Sequence, residues 1–171
     1  MKNLIFINGT MGAGKSSVCA ELLKMLPNAV YLDGDWCWNM HPFIVTDETK
    51  AMVVRNIAHL LQSFLNCSEF QNVIFCWVMH EQAIIDGLLA RLPLRDVQVI
   101  AVSLVCTPDA LAARIGRDVA AGLRTPDVLA RSLSRLPLYD ALNTARLDTT
   151  RLTPEETARA IRELSSAYQK E

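Results

Sequence analysis

The stretch FINGTMGAGKSS, residues 6–17, places three glycines, a lysine and two serines directly after a short apolar run. Gly9, four further residues and then Gly14-Lys15-Ser16 match the phosphate-binding pattern G-x-x-x-x-G-K-S/T. Glycine loses more backbone entropy on folding than any other residue, so three within six positions indicate a backbone that must bend sharply or approach a ligand closely. The stretch therefore predicts a loop shaped for a bound phosphate group.

The flanking sequence supports this interpretation. Residues 3–8 (NLIFIN) are typical of a buried strand, and residues 16–26 (SSVCAELLKML) carry apolar residues on one helical face before Pro27. The motif thus lies between a strand and a helix, where free backbone N–H groups and the partial positive charge of the helix N-terminus favour an anion. We predict a P-loop, the Walker A motif of nucleotide-binding proteins.

A P-loop predicts ATP and Mg²⁺ as the cofactors. We expect Lys15 to contact the β- and γ-phosphates and the Ser16 hydroxyl to bind Mg²⁺. The nucleotide contacts expected from the loop and the first helical turn are Gly9, Met11, Gly12, Ala13, Gly14, Lys15, Ser16 and Ser17. The alternative interpretation is a glycine-rich turn that contains lysine and serine by chance.

Length, charge and composition restrict the class of protein. The 171 residues suit one α/β domain that spans 1–171. The longest apolar run, residues 73–79, is too short for a membrane span, and a net charge of −1 without a lysine run argues against nucleic-acid binding. The five cysteines lack C-x-x-C spacing, so we expect reduced thiols. The first apolar stretch suits a strand rather than a signal peptide, which predicts a cytoplasmic protein.

Strand and helix patterns alternate along the rest of the chain. Further strands are predicted at 29–35, 72–79, 97–106 and 144–150, and helices at 46–66 and 81–92. Thr-Pro pairs that begin at positions 107, 125 and 153 predict the N-termini of three later helices. This alternation indicates an α/β fold: a three-layer P-loop NTPase architecture with a five-stranded parallel sheet and helices on both faces.

Candidate site residues follow the second and third strands, because ligands of such sheets bind at the carboxyl ends of the strands. Asp33-Gly34-Asp35 offers one carboxylate for a metal-bound water and one for a substrate proton, or it is a solvated turn. Trp36 is expected in a pocket wall or in the core. His80 contacts the substrate, or the following glutamate simply begins the next helix.

Several of these stretches together resemble the small P-loop metabolite kinases: shikimate kinase, gluconate kinase, adenylylsulfate kinase and chloramphenicol phosphotransferase. The residues that carry the resemblance are Gly9 to Ser16, LDGD (32–35), Arg114, Arg124 and SRLPLYDAL (134–142). The plan of the chain, including residues 78–92, also resembles tunicamycin-resistance-type ATP-binding proteins. VMHEQ (78–82) stands where shikimate kinase has a glycine-rich turn, which argues against shikimate as the substrate.

The resemblance implies roles on the acceptor side of the site. Asp35 resembles the residue that orients and deprotonates the acceptor hydroxyl, and Asp33 resembles the one that holds Mg²⁺ through water. The metal contacts are thus Ser16 and Asp33. The expected substrate-binding residues are Asp33, Asp35, Trp36, Arg55, His80 and Arg135.

The resemblance also implies a nucleotide-facing helix end and a lid. Arg114 is expected against the adenine, Arg124 over the phosphates and Arg117 as an additional contact, while the loop 148–156 with Arg151 borders the base. Residues 116–125, approximately, are expected to form the lid, because Gly116 and Gly122 bracket a segment within them that is able to hinge. The alternative is that these arginines are solvated side chains on a helix surface.

The function that these features predict is an ATP-dependent phosphotransferase, or kinase. It would move the γ-phosphoryl group to a hydroxyl of a small polar metabolite or antibiotic-like molecule, with Lys15, Asp35 and Arg124 as catalytic residues. The alternative is an ATP-binding regulatory or resistance protein that binds nucleotide and ligand without phosphoryl transfer. A monomer or homodimer is expected, with a small molecule as its partner.

Overall fold

The structure is a computed structural model that describes residues 1–168. Its strands are β1 (Lys2–Asn8), β2 (Ala29–Asp33), β3 (Asn72–Trp77), β4 (Val97–Val105) and β5 (Ala145–Asp148). Its helices are α1 (Lys15–Met25), α2 (Asp47–Asn66), α3 (Gln82–Leu89), α4 (Pro108–Ala120), α5 (Val128–Arg135) and α6 (Pro154–Tyr168). Short 3₁₀ turns cover Gly34–Trp38 and Leu136–Ala141.

The five strands form one parallel sheet in the order β2-β3-β1-β4-β5. The last residue of β1, Asn8, lies opposite Trp77 of β3 and Ser103 of β4. The carboxyl ends of the three central strands therefore meet at one edge of the sheet, and the loop 9–14 leaves β1 at that edge. The predicted fold class, a five-stranded parallel α/β sheet, is confirmed.

Both faces of the sheet are covered, because the side chains of β1 alternate between two apolar clusters. Ile5 and Ile7 pack with residues of α1 and α6, whereas Leu4 and Phe6 pack with residues of α2 and α3. All four of these β1 side chains are fully buried. A strand that is apolar on both faces is what a sheet between two helical layers requires, so the predicted three-layer arrangement is confirmed.

A third apolar cluster supports the nucleotide side of the fold. It joins Leu111 and Ile115 of α4 to Val128 of α5 and to Cys106, with Met11 of the P-loop packed against it. The position of α4 is therefore coupled to the position of the P-loop through direct apolar contacts.

Several predicted helix and strand ends need correction: β3 ends at Trp77 rather than at 79, α3 ends at Leu89 rather than at 92, and two further ends differ for a local reason. The Thr125-Pro126 pair does not begin α5, which starts at Val128 after Asp127 and has no side-chain cap. Thr125 and Pro126 instead accept backbone hydrogen bonds in the turn before the helix. Strand β2 ends at Asp33 rather than at 35, because the Asp33 carboxylate accepts from the Asp35 N–H and caps the 3₁₀ turn.

Other predicted helix starts are confirmed. Thr107 caps α4, and Thr153 and Glu156 exchange hydrogen bonds at the start of α6 as a capping box. All five cysteines are free. Within residues 1–168, no helix combines the length and the apolar character that crossing a membrane would need.

Candidate nucleotide and acceptor site

The P-loop has the strained backbone that its glycines predict. Gly12 adopts φ +82°, and a Cβ atom there would lie 2.6 Å from Cγ1 of Ile115 on α4. Gly9 adopts φ +149°, and a Cβ atom there would lie 2.9 Å from the carbonyl oxygen of Leu104 on β4. Both positions require a residue without a side chain. The loop is thus packed tightly between β4 and α4, which determines its course.

Asn8 links the P-loop to the end of β3. Its side-chain amide donates to the Met79 carbonyl (2.6 Å) and accepts from the Met79 N–H (2.8 Å) and the Gly9 N–H (2.8 Å). The asparagine is almost completely buried, at 1% exposure. These hydrogen bonds fix the distance between the start of the P-loop and the segment that follows β3. The sequence analysis missed it, since an asparagine at a strand end has many possible partners.

Lys15 lies at the first residue of α1, and its Nζ donates to the Thr10 carbonyl at 3.0 Å. The ammonium group therefore folds back over the loop that it follows. Burial lowers the pKa of Lys15, although the nearby carboxylates of Asp35 and Asp33 act in the opposite direction. A half-buried cation beside a glycine-rich loop at a helix N-terminus is suited to a ligand that carries several negative charges.

The Asp33 carboxylate is held by three donors. Its Oδ2 accepts from the Ser16 hydroxyl (2.8 Å) and from the Tyr31 hydroxyl (3.0 Å), and its Oδ1 accepts from the Asp35 N–H (3.0 Å). The structure thus brings the two predicted metal contacts, Ser16 and Asp33, into direct contact. Tyr31, which the sequence analysis missed, orients the carboxylate.

These oxygens suit Mg²⁺ better than a metal that needs a protein cage. Among the described residues, no group of three or more His, Cys, Asp or Glu side chains could hold a metal ion. Mg²⁺ keeps several water ligands and commonly takes only one or two carboxylates together with substrate phosphates. One hydroxyl and one carboxylate oxygen 2.8 Å apart, beside a phosphate-binding loop, fit that requirement.

The Asp35 carboxylate accepts a hydrogen bond from the indole N–H of Trp77 at 3.1 Å. Desolvation raises the pKa of Asp35, and the charge of Asp33 raises it further, while Lys15 and the Trp77 hydrogen bond lower it. Trp77 is the last residue of β3 and was not among the predicted site residues. The neighbouring strands of a parallel sheet end at one edge, so its position could have suggested the contact.

A cavity of about 600 Å³ lies above the carboxyl ends of the strands. Most of the predicted nucleotide, metal and catalytic residues line it: Met11, Gly12, Ala13, Gly14, Lys15, Ser16, Ser17, Asp33, Asp35, Arg114, Arg117, Arg124 and Arg151. Residues that the sequence analysis did not name individually also line it: Asp118 of the predicted lid, Thr149 and Thr150 of the predicted loop 148–156, and Thr157. Gly9 is absent from the lining and acts through the shape of the loop.

The arginines of the cavity have different partners. Arg114 donates to the hydroxyl (3.1 Å) and the carbonyl (2.5 Å) of Thr149, in the loop after β5. Arg124 forms an ion pair with Asp118 of α4, with 2.8 Å between Nε and Oδ2. Arg117 and Arg151 are exposed side chains at the cavity wall. The predicted lid therefore begins within α4, since residues 116–120 are helical, and Arg124 is tied to that helix.

Four predicted acceptor residues lie outside the cavity lining: Trp36, Arg55, His80 and Arg135. Arg55 is exposed on α2 and, within residues 1–168, forms no hydrogen bond or ion pair. Burial lowers the pKa of His80, and the positive charge of Arg135 lowers it further, whereas the charge of Glu81 raises it. Trp36 is 59% exposed, and its ring meets Tyr31 edge-on at 5.3 Å.

Comparison of the sequence with models of protein families gives one match. A family model described as an AAA domain matches residues 5–120, about two thirds of the chain. The chain belongs to this AAA domain family. The matched region runs from β1 through α4, so it contains the P-loop, the acids after β2 and Arg114. A search of curated proteins finds no match to this chain.

Solved structures share the fold over nearly the whole chain. The tunicamycin resistance protein of Deinococcus radiodurans is 21% identical, with a TM-score of 0.72 and 96% of each chain covered. Shikimate kinase from Acinetobacter baumannii, in complex with shikimate, is 20% identical, with a TM-score of 0.68 and coverage of 100% of this chain and 97% of that one.

A gluconokinase from Sinorhizobium meliloti is 18% identical to this chain, with a TM-score of 0.65 and coverage of 99% of this chain and 97% of that one. At these identities the likeness establishes the fold. The predicted resemblance to the fold of small P-loop kinases and tunicamycin-resistance-type proteins is confirmed, and the chain has the P-loop NTPase architecture.

Proposed function

We propose that the protein is a small-molecule kinase that moves the γ-phosphoryl group of ATP to a hydroxyl of a small polar or antibiotic-like molecule. The observation that carries this proposal is the composition of the 600 Å³ cavity. It joins a P-loop, two acids and a set of arginines, which are the parts that phosphoryl transfer needs for positioning and for charge neutralisation. The names of the neighbouring structures, shikimate kinase and gluconokinase, support the same class.

The nucleotide occupies the cavity with its phosphates on the P-loop. Backbone N–H groups of the loop and the N-terminus of α1 bind the phosphate oxygens. Lys15 exchanges its bond to the Thr10 carbonyl for contacts with the β- and γ-phosphates. Arg114, with the loop after β5 to which it is bonded, forms the wall for the base.

Ser16 and Asp33 are the residues that would hold Mg²⁺ in this proposal. The ion supplies charge neutralisation between the phosphates when it is bound. The Asp33 carboxylate is already oriented for this role by Tyr31 and by the Asp35 N–H.

Asp35 is the general base of the proposed reaction. The acceptor hydroxyl oxygen attacks the γ-phosphorus, the bond to the β–γ bridging oxygen breaks, ADP leaves with the electron pair, and the Asp35 carboxylate takes the hydroxyl proton. Trp36, Arg55, His80 and Arg135 are outside the lining of the nucleotide cavity, and we assign them to binding of the acceptor.

Arg124 completes the site when nucleotide binds. In the structure Arg124 is paired with Asp118, and both residues line the cavity in which we place the phosphates. We infer that it exchanges Asp118 for the phosphate oxygens, because a phosphate carries more negative charge than one carboxylate and accepts bidentate contacts. Residues 121–125, which leave α4 and include Arg124, act as the lid.

The substitution Asp35→Asn tests the kinase proposal. Asparagine preserves shape but accepts no proton, so transfer should slow about 100-fold, the lower part of the range for general-base catalysis, while ATP affinity stays near wild type. The measurements are mass spectrometry of the phosphorylated acceptor, over a panel of sugar acids, nucleosides and hydroxylated antibiotics, and calorimetry of Mg-ATP binding.

A matched control is Asp96→Asn. Asp96 is exposed, precedes β4 at the opposite edge of the sheet and adopts φ +59°, which asparagine tolerates. It should behave as wild type. An Asp35→Asn variant with full activity would remove Asp35 from the mechanism. A wild type that binds ATP but phosphorylates nothing in the panel would favour an ATP-binding regulatory or resistance protein, the activity class suggested by the tunicamycin resistance neighbour.

A further inference from the structure

Asp35 lines the nucleotide cavity, and its carboxylate is restrained by a side chain from a neighbouring strand. Asp35 lies in the short 3₁₀ turn Gly34–Trp38 and is exposed as a residue. An exposed carboxylate on such a turn samples several rotamers unless a neighbour restrains it. Among the described residues, the one side chain that hydrogen-bonds to its carboxylate is Trp77.

Trp77 is a rigid anchor for that restraint. It is the last residue of β3, a strand whose preceding five residues are buried, and it lies opposite Asn8 at the start of the P-loop. Its indole N–H donates to Oδ1 of Asp35 at 3.1 Å, across 42 positions of sequence. The carboxylate is therefore connected to the central sheet and, through it, to the phosphate-binding loop.

Gly34 provides the space for this contact. A Cβ atom at position 34 would lie 2.6 Å from Cγ and 2.7 Å from Cδ1 of the Trp77 indole. Real Cβ atoms do not approach ring atoms so closely, because interiors are already close-packed. The glycine between the two acids is therefore explained by the indole that packs against its Cα, and its backbone φ is not in the left-handed region.

The hydrogen bond also makes the two carboxylate oxygens of Asp35 inequivalent. Trp77 occupies Oδ1, whereas Oδ2 accepts no hydrogen bond from any residue within 1–168. The free oxygen is the one left to meet an acceptor hydroxyl. A donor that binds one carboxylate oxygen and leaves the other free orients Asp35 as a general base. The aspartate of a catalytic triad orients its histidine in a similar way.

We propose that Trp77 is a positioning residue: with Gly34 making room for its indole, it holds the Asp35 carboxylate so that Oδ2 faces the acceptor oxygen. The inference rests on the proposed kinase function. It predicts that loss of the indole N–H slows phosphoryl transfer without changing how the nucleotide binds, because Trp77 is absent from the lining of the nucleotide cavity.

The test uses the full chain with Mg-ATP as donor and water as acceptor, which needs no knowledge of the natural acceptor. The water oxygen attacks the γ-phosphorus, the bond to the β–γ bridging oxygen breaks, ADP leaves with the electron pair, and Asp35 takes the proton from water, giving ADP and phosphate. The rate of ADP release is measured against ATP concentration for wild type and for Trp77→Phe.

We expect Trp77→Phe to lower kcat about tenfold, which corresponds to about 1.4 kcal/mol of barrier, with an unchanged KM for ATP. Trp38→Phe is the matched control. It removes an indole N–H that has no hydrogen bond within residues 1–168, from a ring packed against Phe43, and should leave kcat as in wild type.

A double-mutant cycle separates positioning from a general structural effect. If Trp77 acts through Asp35, then Trp77→Phe should have no further effect in an Asp35→Asn background. An equal tenfold loss in that background would show that Trp77 acts elsewhere and would overturn the proposal. A Trp77→Phe variant with wild-type kcat would overturn it directly.

Gly34→Ala reaches the same contact from the other side and replaces Trp77→Phe if that variant fails to fold. The added methyl group displaces the indole, so kcat should fall about tenfold with KM for ATP unchanged. A wild type that binds ATP but releases no ADP, either with water or with any acceptor of the panel, would overturn the proposed kinase function, and the positioning role with it. That outcome is distinct from a wild type that turns over and a Trp77→Phe variant that matches it.

Discussion

Alanine substitutions at three glycines should separate backbone strain from steric collision around the P-loop. Gly12 has φ +82° and a neighbour, Cγ1 of Ile115, 2.6 Å from the position of a Cβ atom. Gly14 has φ +93° with nothing within 4 Å. Gly116 has neither a positive φ nor a close neighbour and lies inside α4. Gly12 therefore presents backbone strain and a steric collision, Gly14 presents backbone strain alone, and Gly116 presents neither.

The expected changes in the free energy of unfolding follow from these geometries. Gly14→Ala costs about 1–2 kcal/mol for a side chain in the left-handed region. Gly12→Ala adds overpacking against Ile115, typically about 1–3 kcal/mol, so its loss should be about 3 kcal/mol in all. Gly116→Ala should gain about 0.5–1 kcal/mol, because alanine is the better helix former.

The assay is equilibrium denaturation in urea, followed by circular dichroism, with linear extrapolation to water. The predicted order of stability is Gly116→Ala, wild type, Gly14→Ala and then Gly12→Ala. A domain of this size has about 5–15 kcal/mol of stability, so all three variants should fold. Gly12→Ala as stable as Gly14→Ala would refute the argument that α4 packs against the P-loop at this point.

Three further variants test side chains of the site. Lys15→Ala should weaken Mg-ATP binding at least about tenfold in calorimetry, with little change in the urea midpoint. The reason is that the ammonium group binds phosphate oxygens in the complex and only the Thr10 carbonyl in the free protein. Unchanged binding and turnover would count against the P-loop assignment. Burial and Arg135 lower the pKa of His80, so the unfolded chain takes up its proton first as the pH falls below about 6.5, and stability is lost on acidification. His80→Gln should therefore lose less stability than wild type between pH 7 and pH 5, measured as urea midpoints, and an equal loss would contradict this. Asp118→Asn weakens the ion pair that holds Arg124 and should raise ATP affinity by up to about fivefold, the range of such pairs; a reduced affinity would mean that Asp118 itself serves the nucleotide.

The local elements were predictable because the determining interactions are close in sequence. The P-loop follows from its own glycines, the buried strand before it and the helix after it, all within residues 2–25. The capping box at Thr153 and Glu156 is likewise local and was predicted correctly. Thr125 shows the limit of local reasoning: the same Thr-Pro signal gives a turn there, and α5 begins two residues beyond the proline.

The sequence by itself determined the fold class and the phosphate-binding loop, since both depend on apolar periodicity and on residues next to one another. Only the tertiary structure decided which distant side chains meet. Trp77 reaches Asp35 across 42 positions and Arg114 reaches Thr149 across 35, because parallel strands end at one edge of the sheet and their loops converge there. Such contacts depend on strand order and register, which no local pattern specifies, and they determine how the acids and arginines of this site are oriented.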